Sequence, residues 1–184
     1  RPGLTREIWA ATSDDDMVEW QFLEDPIMAP RTHGGPDYEK WDAPYIFQEH
    51  GRTLMILSSC YIDGRCLLPL YETTDPEMLR WDYLGLVFDT KLPGERPYFE
   101  CPMLCKDGDH WMMTTCGEGE SMQYYAGAFD LDRLQFVVTG EGVMQYGAAP
   151  GHRRPDGGHD RGFVGSTMNY DRQGRCLLLG WQSG

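Results

Sequence analysis

Apolar residues along this chain fall in short runs separated by polar turns, and no long run keeps a helical period. Ile8-Trp9-Ala10-Ala11-Thr12 is followed by Ser13-Asp14-Asp15-Asp16 and then by Met17-Val18-Glu19-Trp20-Gln21-Phe22, which reads as strand, turn, strand. The same order returns at residues 67–84, with Thr73-Thr74-Asp75-Pro76 as the turn, and again at residues 124–136. In each copy an aspartate precedes an aromatic by six positions: Asp14 and Trp20, Asp75 and Trp81, Asp130 and Phe136. An aspartate can bond its own backbone at a turn, and the aromatic anchors the next strand.

A second pattern alternates with the first. Tyr45-Ile46-Phe47 and Thr53-Leu54-Met55-Ile56-Leu57 flank a turn at Gly51; Met103-Leu104 and Trp111-Met112-Met113 flank Gly108; Thr167-Met168 and Cys176-Leu177-Leu178-Leu179 flank Gly174. Glycine supplies the positive φ that a tight hairpin needs. These glycines are 57 and 66 residues apart, and the aspartates of the first pattern 61 and 55. Two markers keeping step at a period of about 60, with four short strands per period, predict the blades of an all-β propeller. Three such units fill the chain. Because a propeller closes with about four to eight blades, residues 1–184 are expected to form part of a larger domain, without its first and closing blades. Residues 30–40 and 148–158 are read as linkers.

Composition narrows the partners. A formal charge of −13 disfavours nucleic acid and anionic membranes, and a neutral substrate suits the surface better. No apolar run is long enough to cross a bilayer as a helix, so a soluble protein is expected, secreted or cytoplasmic. The six cysteines (60, 66, 101, 105, 116 and 176) lie mostly in apolar runs and form no CxxC pair, so they read as small buried hydrophobes rather than zinc ligands. No metal or cofactor is implied.

The residues that lead each hairpin carry the candidate chemistry. Trp41-Asp42-Ala43-Pro44 leads the first, Phe99-Glu100-Cys101-Pro102 the second, and His159-Asp160-Arg161-Gly162 the third. Asp42 stands nine residues before its glycine and Glu100 eight before its own. Inner strands of adjacent blades converge at one mouth of the channel, so these two acids are expected to face a shared cleft. Paired carboxylates serve glycoside hydrolysis, one as proton donor and another supporting charge on the sugar ring. Phe99 and Cys101 suggest an apolar setting that keeps Glu100 protonated. Trp41 and Tyr98, next to the acids, are expected to meet the sugar. Ser58-Ser59 and Thr114-Thr115 offer hydroxyls, but no histidine completes a triad.

These residues resemble glycoside hydrolase family 32, the invertases, levanases and inulinases. Phe99-Glu100-Cys101-Pro102 is similar to the family's Glu-Cys-Pro motif, and Trp41-Asp42-Ala43-Pro44 to its Arg-Asp-Pro motif, with Trp41 in place of the arginine. The Asp14–Trp20 and Asp75–Trp81 units, Tyr125-Ala126-Gly127-Ala128-Phe129-Asp130, and Gly174-Arg175 through Gly180-Trp181 resemble further segments, in the family's order. The resemblance implies a five-bladed β-propeller and a retaining, cofactor-free cleavage of terminal β-fructosidic bonds. Glu100 would be the acid/base and Asp42 the transition-state stabiliser, with Trp41, Tyr98, Cys101 and Asp160 at the substrate. The family's nucleophile lies in an Asn-Asp-Pro-Asn segment that this chain does not contain. A binding propeller without catalysis, or a five-bladed glycosidase acting on arabinose- or xylose-type sugars, are the alternatives.

Overall fold

The computed structural model describes residues 6–33, 38–61, 65–89, 100–116, 122–144 and 162–183. They build twelve strands and one short helical turn. The strands are β1 (Ala11–Thr12), β2 (Gln21–Phe22), β3 (Tyr38–Glu49), β4 (Arg52–Tyr61), β5 (Cys66–Thr73), β6 (Asp82–Asp89), β7 (Glu100–Asp107), β8 (His110–Cys116), β9 (Gln123–Asp130), β10 (Gln135–Val143), β11 (Gly162–Tyr170) and β12 (Cys176–Ser183). The helical turn α1 spans Pro30–His33. Residues 38–40 of the expected first linker belong to β3; residues 148–158 lie outside the described residues.

Every ladder is antiparallel. The sheets run β3-β4-β5-β6 and β7-β8-β9-β10, each four strands in chain order, with two-stranded β1-β2 before them and β11-β12 after. Four-stranded antiparallel meanders of this kind fit propeller blades. The strands add up to three blades, but they divide as half, whole, whole and half. The two sequence patterns are therefore the inner and outer hairpins of a blade, and each whole blade begins with the glycine hairpin.

The outer turns share one design. Asp75 Oδ1 accepts the Glu77 N–H at 3.1 Å, and the Trp81 indole donates to the Met78 carbonyl at 2.8 Å. In the first copy the Trp20 indole donates to the Met17 carbonyl at 3.1 Å, but Asp15, not Asp14, is the acceptor, taking the Glu19 N–H at 2.9 Å. In the third, Asp130 accepts from the Arg133 N–H. Met17 and Met78 hold left-handed backbone three residues before their tryptophans, and Leu134 two residues before Phe136.

Alternation along β4 sends side chains to two cores. Leu54 and Ile56 join Leu68, Leu70 and Val87 against Leu104, Trp111, Met113, Tyr125 and Phe136 of the second sheet. Met55 and Leu57 face the other way, against Trp41, Tyr71, Trp81 and the segment holding Ile8 and Met28. On the far side of the second sheet, Met103 and Cys105 pack on Met168. Each four-stranded sheet is thus covered on both faces, as stacked blades require.

Two outcomes are expected. A Cβ on Gly127 would stand 2.0 Å from the Val137 carbonyl oxygen, whereas one on Gly140 meets nothing within 4 Å. Gly127→Ala is expected to lose about 2 kcal/mol or more by urea denaturation and Gly140→Ala about none; equal losses would contradict the register. Burial raises Tyr71 and Tyr45, and burial with the Cys176 contact raises Cys105 from 9.0 to about 12. The fold therefore holds these protons longer than the unfolded chain does. Their contribution is complete below about pH 9 and is lost as pH climbs towards 12, so the urea midpoint is expected to fall across that window.

Candidate active site

Asp42 and Glu100 occupy matching register positions in consecutive sheets. Asp42 pairs with Ser58 and the ladder resumes at Tyr45 and Ile56; Glu100 pairs with Cys116 and resumes at Met103 and Thr114. Each inner strand thus carries one extra residue directly after its acid, a bulge that re-aims the neighbouring side chains. The residue following each acid is in left-handed backbone, Ala43 at φ 50° and Cys101 at φ 47°, and a proline comes next. Such backbone costs on the order of 1–2 kcal/mol for a non-glycine residue. Its repetition at the same point of two blades ties the strain to the acids.

The one-residue difference in spacing to the glycines has a simple origin. Both inner hairpins close on two-residue turns, between Glu49 and Arg52 and between Asp107 and His110. Glycine takes the second turn position in one and the first in the other, so the acids are equally far from their turns. The third inner hairpin repeats the bulge between Val164 and Thr167, which puts Val164 at the acids' position. Asp160 is therefore not the third equivalent; it and Tyr98 lie outside the described residues.

Strand alternation separates Trp41 from its neighbours. Its side chain is 1% exposed and its indole donates to the Tyr71 hydroxyl at 3.1 Å, within the core behind β3. The expectation that Trp41 stacks on a sugar is corrected: it is a packing residue. Lys40 and Asp42, two apart, share the opposite face. The Lys40 ammonium, its side chain 7% exposed, donates to Glu100 Oε1 at 2.6 Å across the seam between the sheets. A charged partner, not the expected apolar wall, meets the Glu100 carboxyl. Asp42 is paired with Arg6. Thr115 Oγ1 donates to the Glu100 carbonyl at 3.1 Å and steadies its main chain.

Cys101 joins the two acids. Burial pushes its thiol up, Cys116, Glu100 and Asp42 push the same way, and Lys40 opposes them. Lys40 two residues before Asp42 on β3, its bond to Glu100, and Cys101 directly after Glu100 set these four residues at the seam between the two sheets. The Ser58 hydroxyl, buried and opposite Asp42 in register, has no hydrogen-bond partner among the described residues. This arrangement offers two carboxylates with a cation on each and an unmet hydroxyl below. Two carboxylates and a hydroxyl are groups that can hydrogen-bond a small polyhydroxylated molecule, and an exposed carboxyl can carry a proton in acid/base chemistry.

The chain aligns in three dimensions with solved structures over most of its length. It matches a GH32 β-fructofuranosidase from Bombyx mori with a TM-score of 0.73 and 18% identity, over 95% of this chain and 36% of that one. For a sucrose-6-phosphate hydrolase from Lactobacillus gasseri the values are 0.68, 15%, 89% and 33%, and for a fructan 1-exohydrolase IIa from Cichorium intybus 0.61, 15%, 89% and 32%. The chain has the fold of glycoside hydrolase family 32 enzymes. It spans about a third of the length of these family 32 structures. No protein-family model and no curated protein matches the sequence.

Within this family 32 fold, a hollow of about 450 Å³ opens further along the inner strands, between Tyr45, Glu49, Lys106, Trp111 and Tyr170. It does not include the acids, and its polar groups satisfy one another: Lys106 meets Glu49 at 2.5 Å, and Tyr45 donates to the Leu104 carbonyl. Lys40 and Arg6 went unnoticed in the sequence. Lys40 stands two residues before Asp42, the spacing that puts side chains on one face of a strand. Arg6 is brought in by tertiary structure and carried no local signal.

Exposure of the two partners differs, 7% for the Lys40 side chain and 39% for that of Glu100. Removing the carboxylate leaves a buried cation, while removing the lysine leaves an acid that water can reach. Glu100→Gln is expected to lose on the order of 3 kcal/mol in urea denaturation, and Lys40→Met well under half of that. Equal costs would contradict the observed burial.

Proposed function

We propose that this chain is part of a glycoside hydrolase that cleaves terminal β-fructosidic bonds, as in sucrose or a fructan, with retention. The observation that carries the proposal is the duplicated acid–left-handed residue–proline bulge, which presents Asp42 and Glu100 at equivalent places on adjacent blades of a family 32 fold. Glu100 is the acid/base: it protonates the leaving oxygen, then takes a proton from the attacking water. Asp42 accepts hydrogen bonds from sugar hydroxyls that strengthen as positive charge grows on the ring. Residues 1–184 contain no Asn-Asp-Pro-Asn segment, so the nucleophilic carboxylate is not assigned to any of them. Lys40 orients the Glu100 carboxyl, Cys101 follows it directly in β7, and Tyr98 and Asp160 are assigned to the substrate on the strength of the family resemblance alone.

A second reading has an observation of its own. The Lys40–Glu100 pair occupies the acid with an internal partner, and the motif arginine is replaced by a buried tryptophan. Both features fit a propeller that binds sugar without cleaving it.

The test is fructose release from sucrose and inulin by the full-length protein. Glu100→Gln is expected to lower kcat/KM by about a thousandfold. Because that substitution also takes a charged partner from the enclosed Lys40, the Lys40→Met/Glu100→Gln double variant is the control: stability returns and activity does not. Unchanged turnover in Glu100→Gln removes the assignment, and sugar binding with no turnover in the unaltered protein selects the second reading.

A further inference from the structure

Cys60 and Cys66 are direct partners across β4 and β5, and their sulfurs lie 3.4 Å apart. Both are buried, at 1% and 0% exposure, among Leu54, Ile56, Leu68 and Val87 in the core between the sheets. Directly opposed residues of an antiparallel pair have Cα atoms about 4.5–5.5 Å apart, inside the range of about 4.4–6.8 Å that a disulfide spans. Closing the sulfurs to bonding distance therefore takes side-chain rotation and leaves the ladder intact. Cys60 also pairs with Lys40 on its other side, so a single row across three strands reads Lys40, Cys60, Cys66.

We propose that Cys60 and Cys66 are a redox modification site that closes into a cross-strand disulfide by exchange with a small-molecule disulfide of the glutathione class. One cysteine, as thiolate, attacks the oxidant, forms a mixed disulfide and expels one thiolate. The second gives up its proton and attacks the protein sulfur of that mixed disulfide, expelling the other. Two S–H bonds and the oxidant's S–S bond are lost, one protein S–S bond forms, and two electrons pass to the oxidant, which leaves as two thiols. The folded core shields both sulfurs, so exchange takes place before β4 and β5 are fully covered, and the finished bond is then protected from reduction. The staple joins the two central strands of the sheet, one strand away from the lysine that contacts Glu100. This site stands independently of the function proposed above.

The experiment refolds the protein from 8 M urea in glutathione buffers of graded ratio, traps thiols with N-ethylmaleimide in denaturant, and digests without reduction. Trypsin cuts after Arg52, Arg65 and Arg80, which puts the two cysteines on separate peptides, 53–65 and 66–80. These peptides are expected to emerge joined, with an equilibrium constant against glutathione at least about tenfold larger for the folded protein than in 8 M urea (on the order of 1.4 kcal/mol per tenfold). In Cys60→Ala, Cys66 is expected to be recovered as a maleimide adduct. Separate alkylated peptides at every ratio, Cys60 joined to a different cysteine, or the same constant in urea would each overturn the proposal.

Discussion

The apolar seam between the two whole sheets is the constraint on which the site depends. Leu54, Ile56, Leu68 and Leu70 on one side meet Leu104, Trp111, Met113 and Tyr125 on the other. Fully burying one such side chain is worth about 1.5–3 kcal/mol, so the seam is a large term against a marginal total stability. It also fixes the relative position of β3 and β7. Neither acid touches its counterpart through its own strand; their relation is inherited from the packing behind them.

At the rim the physics changes from burial to charge. Lys40 is enclosed and costly to leave unpaired, so its bond to Glu100 latches the two blades where the apolar seam ends. The bulges beneath hold Ala43 and Cys101 in backbone that costs energy. The cost is offset by the ladders on both sides and by the Thr115 hydroxyl on the Glu100 carbonyl. Ala43 and Cys101 hold left-handed backbone inside strands, where the other such residues among those described lie in turns, and a buried cation stands beside them. That combination is the reason to treat the rim as a site and not as two ordinary strand ends.

Much of this was legible in the sequence, because alternation, turn aspartates and hairpin glycines are local signals. The hairpins at Gly51, Gly108 and Gly174 and the outer units at Asp75 and Asp130 all form where the residues predict. Blade boundaries were not legible: a repeat gives a period but no starting point, and only pairing shows that β3 opens a sheet and β1 belongs to an earlier one. Trp41 was misjudged through adjacency, since neighbours on a strand point to opposite faces. The same rule, applied at two residues, would have found Lys40. Arg6 required the fold itself. Asp160 lies outside the described residues, and the bulge register of the third hairpin puts Val164 at the position the acids hold in the other two.

The most direct measurement is an experimental crystal structure of the full-length protein with fructose bound. The account expects the carboxyls of Asp42 and Glu100 both within hydrogen-bond reach of the same sugar ring. Carboxyls on separate surfaces, or a sugar held elsewhere with neither acid touching it, would contradict it.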